Sequence, residues 1–122
     1  MSSVKKRARP SKPSTPPTDQ TLNLINEVKL TACIAEASPL RYTPAAIPAL
    51  NIVLEHESDI VEGGTSRKVK LTVRAVAFGP LAQSTGQLKL GKPFLFTGFM
   101  INARTSKSIV LHIQSVTVPT PI

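Results

Sequence analysis

Few side chains in this 122-residue sequence could do acid–base or nucleophilic work: two histidines, His56 and His112, and one cysteine, Cys33. His56 stands between Glu55 and Glu57 in LEHES, but successive side chains on a strand alternate faces, which puts both carboxylates on the face opposite the imidazole. No catalytic dyad is expected there. His112, inside VLHIQ, reads as a packed or hydrogen-bonded strand histidine, and neither histidine has a nucleophile or a metal-ligand spacing beside it. Cys33 lacks a second cysteine for an intrachain disulfide or a zinc site and reads as a small core or sheet residue. There is no phosphate-cradling glycine motif of the P-loop type either. The reading is a non-enzymatic protein without cofactor or metal.

The cations carry more information. The formal net charge is +8, from 15 Lys and Arg against 7 Asp and Glu. Five of the cations (Lys5, Lys6, Arg7, Arg9, Lys12) fall in the first twelve residues. Residues 1–19, MSSVKKRARPSKPSTPPTD, have hardly an apolar side chain to offset the entropy of ordering, so they are expected to form a disordered basic tail. Such a tail could touch DNA, act as a solubilising extension, or have no function. Residues 20–122 have the size of one domain and carry ten cations against six acids. A polyanion such as nucleic acid is a natural partner for them, with solubility as the bland account of the same charge. An anionic membrane surface is less well supported, because no run approaches the roughly 20 apolar residues of a span and the tail lacks the apolar face of an interfacial helix. The start also lacks the apolar core of a secretory signal, and a cytoplasmic protein is expected.

The elements that position these charges follow from alternation. Val28, Leu30, Ala32 and Ile34 alternate with Glu27, Lys29, Thr31 and Cys33, and after SPLRYTP the pattern resumes at Leu50, Ile52 and Leu54, giving a first and a second strand. ESDIVEGG then reads as a loop, with Gly63 and Gly64 free to take positive φ. In a third strand, Val69, Leu71, Val73 and Ala75 face the core while Lys68, Lys70, Thr72 and Arg74 face outward. Lys68, Lys70 and Arg74 would then lie about 7 and 13 Å apart, a cationic stripe able to track a phosphate backbone. A short helix is expected after Phe78 and Gly79, with Pro80 in its first position. FLFTGFMINA and SIVLHIQSVTV form the fourth and fifth strands, with Gly98 marking a bulge or sharp bend. Phe94 and Phe96 share a packing face, and Phe99 is expected to join the core after that bend.

Five strands with a short helix between the third and fourth predict an all-β, five-stranded OB-fold barrel, since closure hides the strand edges. An SH3-like barrel competes, but the helical piece and the long strands argue against it. On an OB barrel, Arg67 at the start of the third strand, and Arg104 and Lys107 between the last two strands, would extend the stripe along the part that binds oligonucleotides. Arg41 and Tyr42, between prolines, complete the candidate single-stranded DNA site. The Tyr42 ring could stack on a base or simply cover the end of the barrel.

PLRYTPAAIP, IVLEHES, EGGTSRKV and GFMINARTSKSIVLHI together resemble the primosomal replication protein N family over roughly residues 26 to 116, most specifically in LEH and the later VLH. The resemblance implies an OB-fold homodimer that binds single-stranded DNA and joins a restart helicase and other primosome proteins at stalled forks. It places the family's basic contact on Arg67 and the first lysine of its last loop on Arg104. The sequence departs from the family elsewhere: a base-stacking tryptophan falls at Lys70, a second aromatic falls at Thr65, and the last loop is shorter, with fewer lysines. Lys70 would exchange a stacked base for a phosphate contact, giving more salt-sensitive binding. Two alternatives stay open. One is a general single-strand-coating protein, for which a long acidic C-terminal tail is expected where this sequence ends VPTPI; the other is an OB-fold interaction module with little DNA affinity.

Overall fold

In the computed structural model the described residues are 21–121, so the expected tail over residues 1–19 lies outside them. The elements in chain order are β1 (Val28–Ala37), β2 (Arg41–Tyr42), β3 (Pro48–Glu62), β4 (Thr65–Phe78), α1 (Pro80–Thr85), β5 (Pro93–Asn102) and β6 (Ile109–Thr117). β1 runs antiparallel to both β3 and β5, β3 to β4, and β5 to β6. Parallel pairing of Arg74, Ala75 and Val76 with Val110, Leu111 and His112 closes the ring. The result is the predicted five-stranded OB barrel, with the two-residue β2 added beside β1 on the flank of β3.

The alternation read from the sequence sets the inside of the barrel. Ile34, Leu54, Phe96 and Leu111 are fully buried at its centre, joined by Ala32, Ile52, Ala75 and Ile113. Phe94 and Phe96 meet edge to face at 6.5 Å. Pro80 occupies the first turn of α1 as expected, following Gly79 at φ 74°.

Three local expectations change. ESDIVE is strand: β3 and β4 stay paired out to Glu62 opposite Thr65, and only Gly63 (φ 60°) and Gly64 (φ 81°) turn the chain. Two consecutive positive φ values make the tight turn that matches strand twist. Opposite charges in register, Asp59 across from Lys68 and Glu57 across from Lys70, favour pairing where polarity had suggested a loop. The resulting hairpin arm runs beyond the barrel, which leaves Leu71 41% exposed although it is in phase with the core.

Gly98 does mark a bulge. Thr97 pairs with Ser115 while Gly98 pairs with Ile113, so the extra residue is Gln114 on β6. The alternation of β5 is therefore unbroken, and Phe99 points outward onto His112 instead of joining the core. At Gly98 a Cβ would sit 1.9 Å from the carbonyl oxygen of His112, so only glycine permits the approach of the two strands.

Two stability outcomes follow. Gly98→Ala is expected to cost about 3 kcal/mol or more in urea unfolding, through overpacking against main chain that cannot yield. Ala46 holds φ 65° in a turn fixed by Thr43 N–H to Ile47 O (2.9 Å) and Ala46 N–H to Thr43 O (2.7 Å). Ala46→Gly is expected to stabilise the chain by about 0.5–1 kcal/mol in the same assay, the left-handed strain relieved exceeding glycine's entropy cost.

Candidate nucleic-acid interface

The hairpin arm carries the cations that sequence spacing favoured, and the fold neutralises two of them. Antiparallel pairing sets Lys68 and Lys70 on the same face as Glu57 and Asp59. Lys68 Nζ lies 3.3 Å from Glu57 and 3.4 Å from Asp59, and Arg67 Nε lies 2.8 Å from Glu62. These pairs are solvent-exposed and each contributes about 0.2–1 kcal/mol to stability, yet they place a carboxylate wherever a phosphate would approach. Lys70 has no ion pair among the described residues, but it lines an open depression of about 480 Å³ together with Glu55 and Glu57. Over residues 55–72 three cations meet four acids. The expected cationic stripe is a mixed-charge ladder along the arm.

His56 sits at the base of the arm. A main-chain carbonyl can only accept, so Nδ1–H donates to Thr31 O at 2.7 Å, leaving Nε2 to accept from the Ser58 hydroxyl at 2.8 Å. The imidazole ties β1 to β3.

The remaining cations gather elsewhere. Outside residues 55–72, the described chain has seven Lys and Arg against two acids, Glu27 and Glu36. Arg41 donates from Nε (3.2 Å) and Nη2 (3.0 Å) to Asn51 Oδ1, which fixes its guanidinium over the outer face of β3. Arg74 lines an open depression of about 370 Å³ with Asn51, Ser38, Glu36 and Ala103. Arg104 and Lys107 lie in the turn that begins just after Ala103. That turn is closed by Ala103 N–H to Ser108 O (2.8 Å) and Asn102 Nδ2–H to Lys107 O (3.1 Å). The structure thus brings Arg41, Arg74 and the Arg104–Lys107 turn to one outer face of the barrel. It leaves Arg67, Lys68 and Lys70 on the arm. Tyr42 is 61% exposed, but it follows Arg41 on a strand and so projects from the opposite face of β2.

Sequence reasoning missed Asn51, Phe78 and the outward placing of Phe99. On the same outer face the His112 ring lies 5.6 Å from Phe78 and 5.1 Å from Phe99, centroid to centroid. Asn51 read only as the polar phase of the second strand. Phe99 meets His112 through the antiparallel β5–β6 register, and Phe78 reaches the same ring through the parallel β4–β6 pairing, for which local alternation gives no signal.

A closed barrel of this order with an outer basic face is an OB fold of the single-strand-binding class. A family model described as "Another single-strand binding protein family" matches residues 26–115. The replication restart protein PriB of Bordetella pertussis is 42% identical over 91 residues, covering 74% of this chain and 85% of that protein. PriB of Neisseria gonorrhoeae is 38% identical over 96 residues, covering 78% and 95%. Among solved structures, PriB from Ralstonia solanacearum superposes with a TM-score of 0.70 at 30% identity, covering 78% of this chain and 98% of that one. The SSB domain from a Synechococcus species shares the fold, with a TM-score of 0.60 at 20% identity over 80% and 99% of the two chains. The chain belongs to the PriB family of single-strand-binding OB-fold proteins.

The geometry separates two groups of cations by salt titration. Arg41→Ala and Arg74→Ala are each expected to lower the slope of log K against log salt for oligo-dT by about 0.7, one phosphate contact on a single strand. Lys68→Ala, which removes a cation already paired with two carboxylates, is expected to leave that slope unchanged.

Proposed function

We propose that this chain holds single-stranded DNA without sequence preference as an accessory of the replication-restart primosome, linking the strand to a restart helicase and loading partners. The observation that carries the reading is the outer face of the barrel, where Arg41 and Arg74 flank Asn51 and the Arg104–Lys107 turn follows Ala103 beside Arg74, in a described chain that outside the arm has seven cations against two acids. Phosphate neutralisation supplies affinity that is indifferent to base sequence. Family membership supports the restart role. Among the described residues no helix is long and apolar enough to cross a membrane.

A second copy of the chain is part of this reading. Leu24 and Ile25 are 76% and 74% exposed and consecutive, with Leu22 beside them, in the segment leading into β1. Asn26 anchors that segment by exchanging both side-chain hydrogen bonds with the main chain of Met100, at 2.7 and 3.0 Å. Apolar side chains held in place yet uncovered fit a surface that a partner protomer buries. Sedimentation equilibrium is expected to give a dimer, and Leu24→Lys with Ile25→Lys a monomer.

The neutralised arm favours a second function, an interaction module with little affinity for DNA. Fluorescence anisotropy of labelled oligo-dT, with the full chain and with a chain lacking residues 1–19, separates the two. The truncated chain is expected to retain binding, with a steep salt slope carried by the barrel. Loss of all binding on truncation would leave the barrel as a docking module.

A further inference from the structure

We propose that Phe78, His112 and Phe99 form a base-stacking platform on the outer face of the barrel, taking the nucleobases of a single strand whose phosphates run past Arg41 and Arg74. The proposal rests on the single-strand-binding reading and assigns that function a second component, in a different place from the aromatic positions the family resemblance marks at Lys70 and Thr65.

Cross-strand partners share a face of the sheet, so the register orders this surface into rows. Arg41 pairs with Ala49 and Ala49 with Phe78. In the next row Asn51 pairs with Val76, Val76 with His112, and His112 with Phe99. The third row runs from Val53 through Arg74 and Val110 to Ile101. Rows are about 7 Å apart along the strands; Phe78 lies in the Arg41 row itself, and His112 and Phe99 lie in the middle row, between it and the Arg74 row. Ala49 and Val76 beneath are 0% and 5% exposed, roofed by the longer side chains around them.

Phe78 is not part of the core cluster. The core side of this strand end is filled by Ala77, fully buried, while Phe78 turns away and remains 41% exposed. Its plane is tilted 43° from His112, and Phe99 is tilted 32° from the same imidazole. Both phenylalanines thus meet the same imidazole at a tilt, which gathers the three rings on one surface, with Asn51 holding Arg41 at its flank. Glu36 is the one acidic residue lining the Arg74 depression, so the two flanking arginines outnumber it. Single-strand binders combine cations that track the backbone with ring faces on which bases stack, whatever the sequence. This face has both, and the arm has no Phe, Tyr or Trp between Glu55 and Thr72.

The test compares oligo-dT with an abasic strand of the same length, which keeps the phosphates and lacks the bases, using the full chain and its variants. Phe78→Leu is expected to weaken oligo-dT binding about ten-fold, leaving abasic-strand binding, the salt slope and the sedimentation coefficient as in the wild type. Because the chain has no tryptophan, Phe78→Trp adds a single reporter that keeps a ring in place. Its emission is expected to be quenched by oligo-dT and unaffected by the abasic strand. Equal loss of both strands in Phe78→Leu would overturn the platform, as would an unquenched tryptophan in a chain that anisotropy shows to be bound. A changed sedimentation coefficient with unchanged affinity would assign the rings to contact between copies of the chain. If the wild-type chain binds neither strand, the single-strand reading fails and the platform with it, whereas binding that ignores the bases overturns the platform alone.

Discussion

The barrel depends on the three parallel pairs that join Arg74, Ala75 and Val76 to Val110, Leu111 and His112. Without them β3–β4 and β5–β6 would be two antiparallel layers joined only through β1, each with an unpaired edge. With them, Ala75 and Leu111 are buried side by side in the core. On the other surface Val76 and His112 become neighbours, and Phe78 and Phe99 meet on the same imidazole. One short ladder thus defines the core and assembles the outer face.

Much of this architecture could be read in the chain, because each strand keeps one face apolar. Ile34, Leu54 and Ala75 are buried in the phase their alternation assigned. Gly98 was legible as a bulge, since a glycine inside an apolar strand signals close backbone approach. Phe99 was misplaced because sequence alone does not say which of two paired strands holds the extra residue. That residue is Gln114, on the strand opposite the glycine. The site was less legible than the fold. Lys68, Lys70 and Arg74 do alternate outward as spacing required, but net function depends on what faces them across the ladder. Asp59 and Glu57 were read as loop residues and lie opposite two of those lysines.

The arm and the barrel face therefore divide the charge of the molecule by role. On the arm, acids and bases in register hold two exposed strands together well beyond the core, a place where hydrophobic burial is not available. On the barrel, burial already holds the strands, and the cations outnumber the acids, Glu27 and Glu36. A chain with a modest excess of cations can in this way concentrate an uncompensated field on one surface.

Asn26 is a side chain doing the work of a backbone. Its amide offers Met100 the same donor and acceptor that one more residue of β1 would have offered, so the hydrogen-bond ladder ends sealed where the main chain turns aside. The described residues before it pair with no strand, so a change there alters what the exposed Leu22, Leu24 and Ile25 meet and leaves the barrel's own ladder in place.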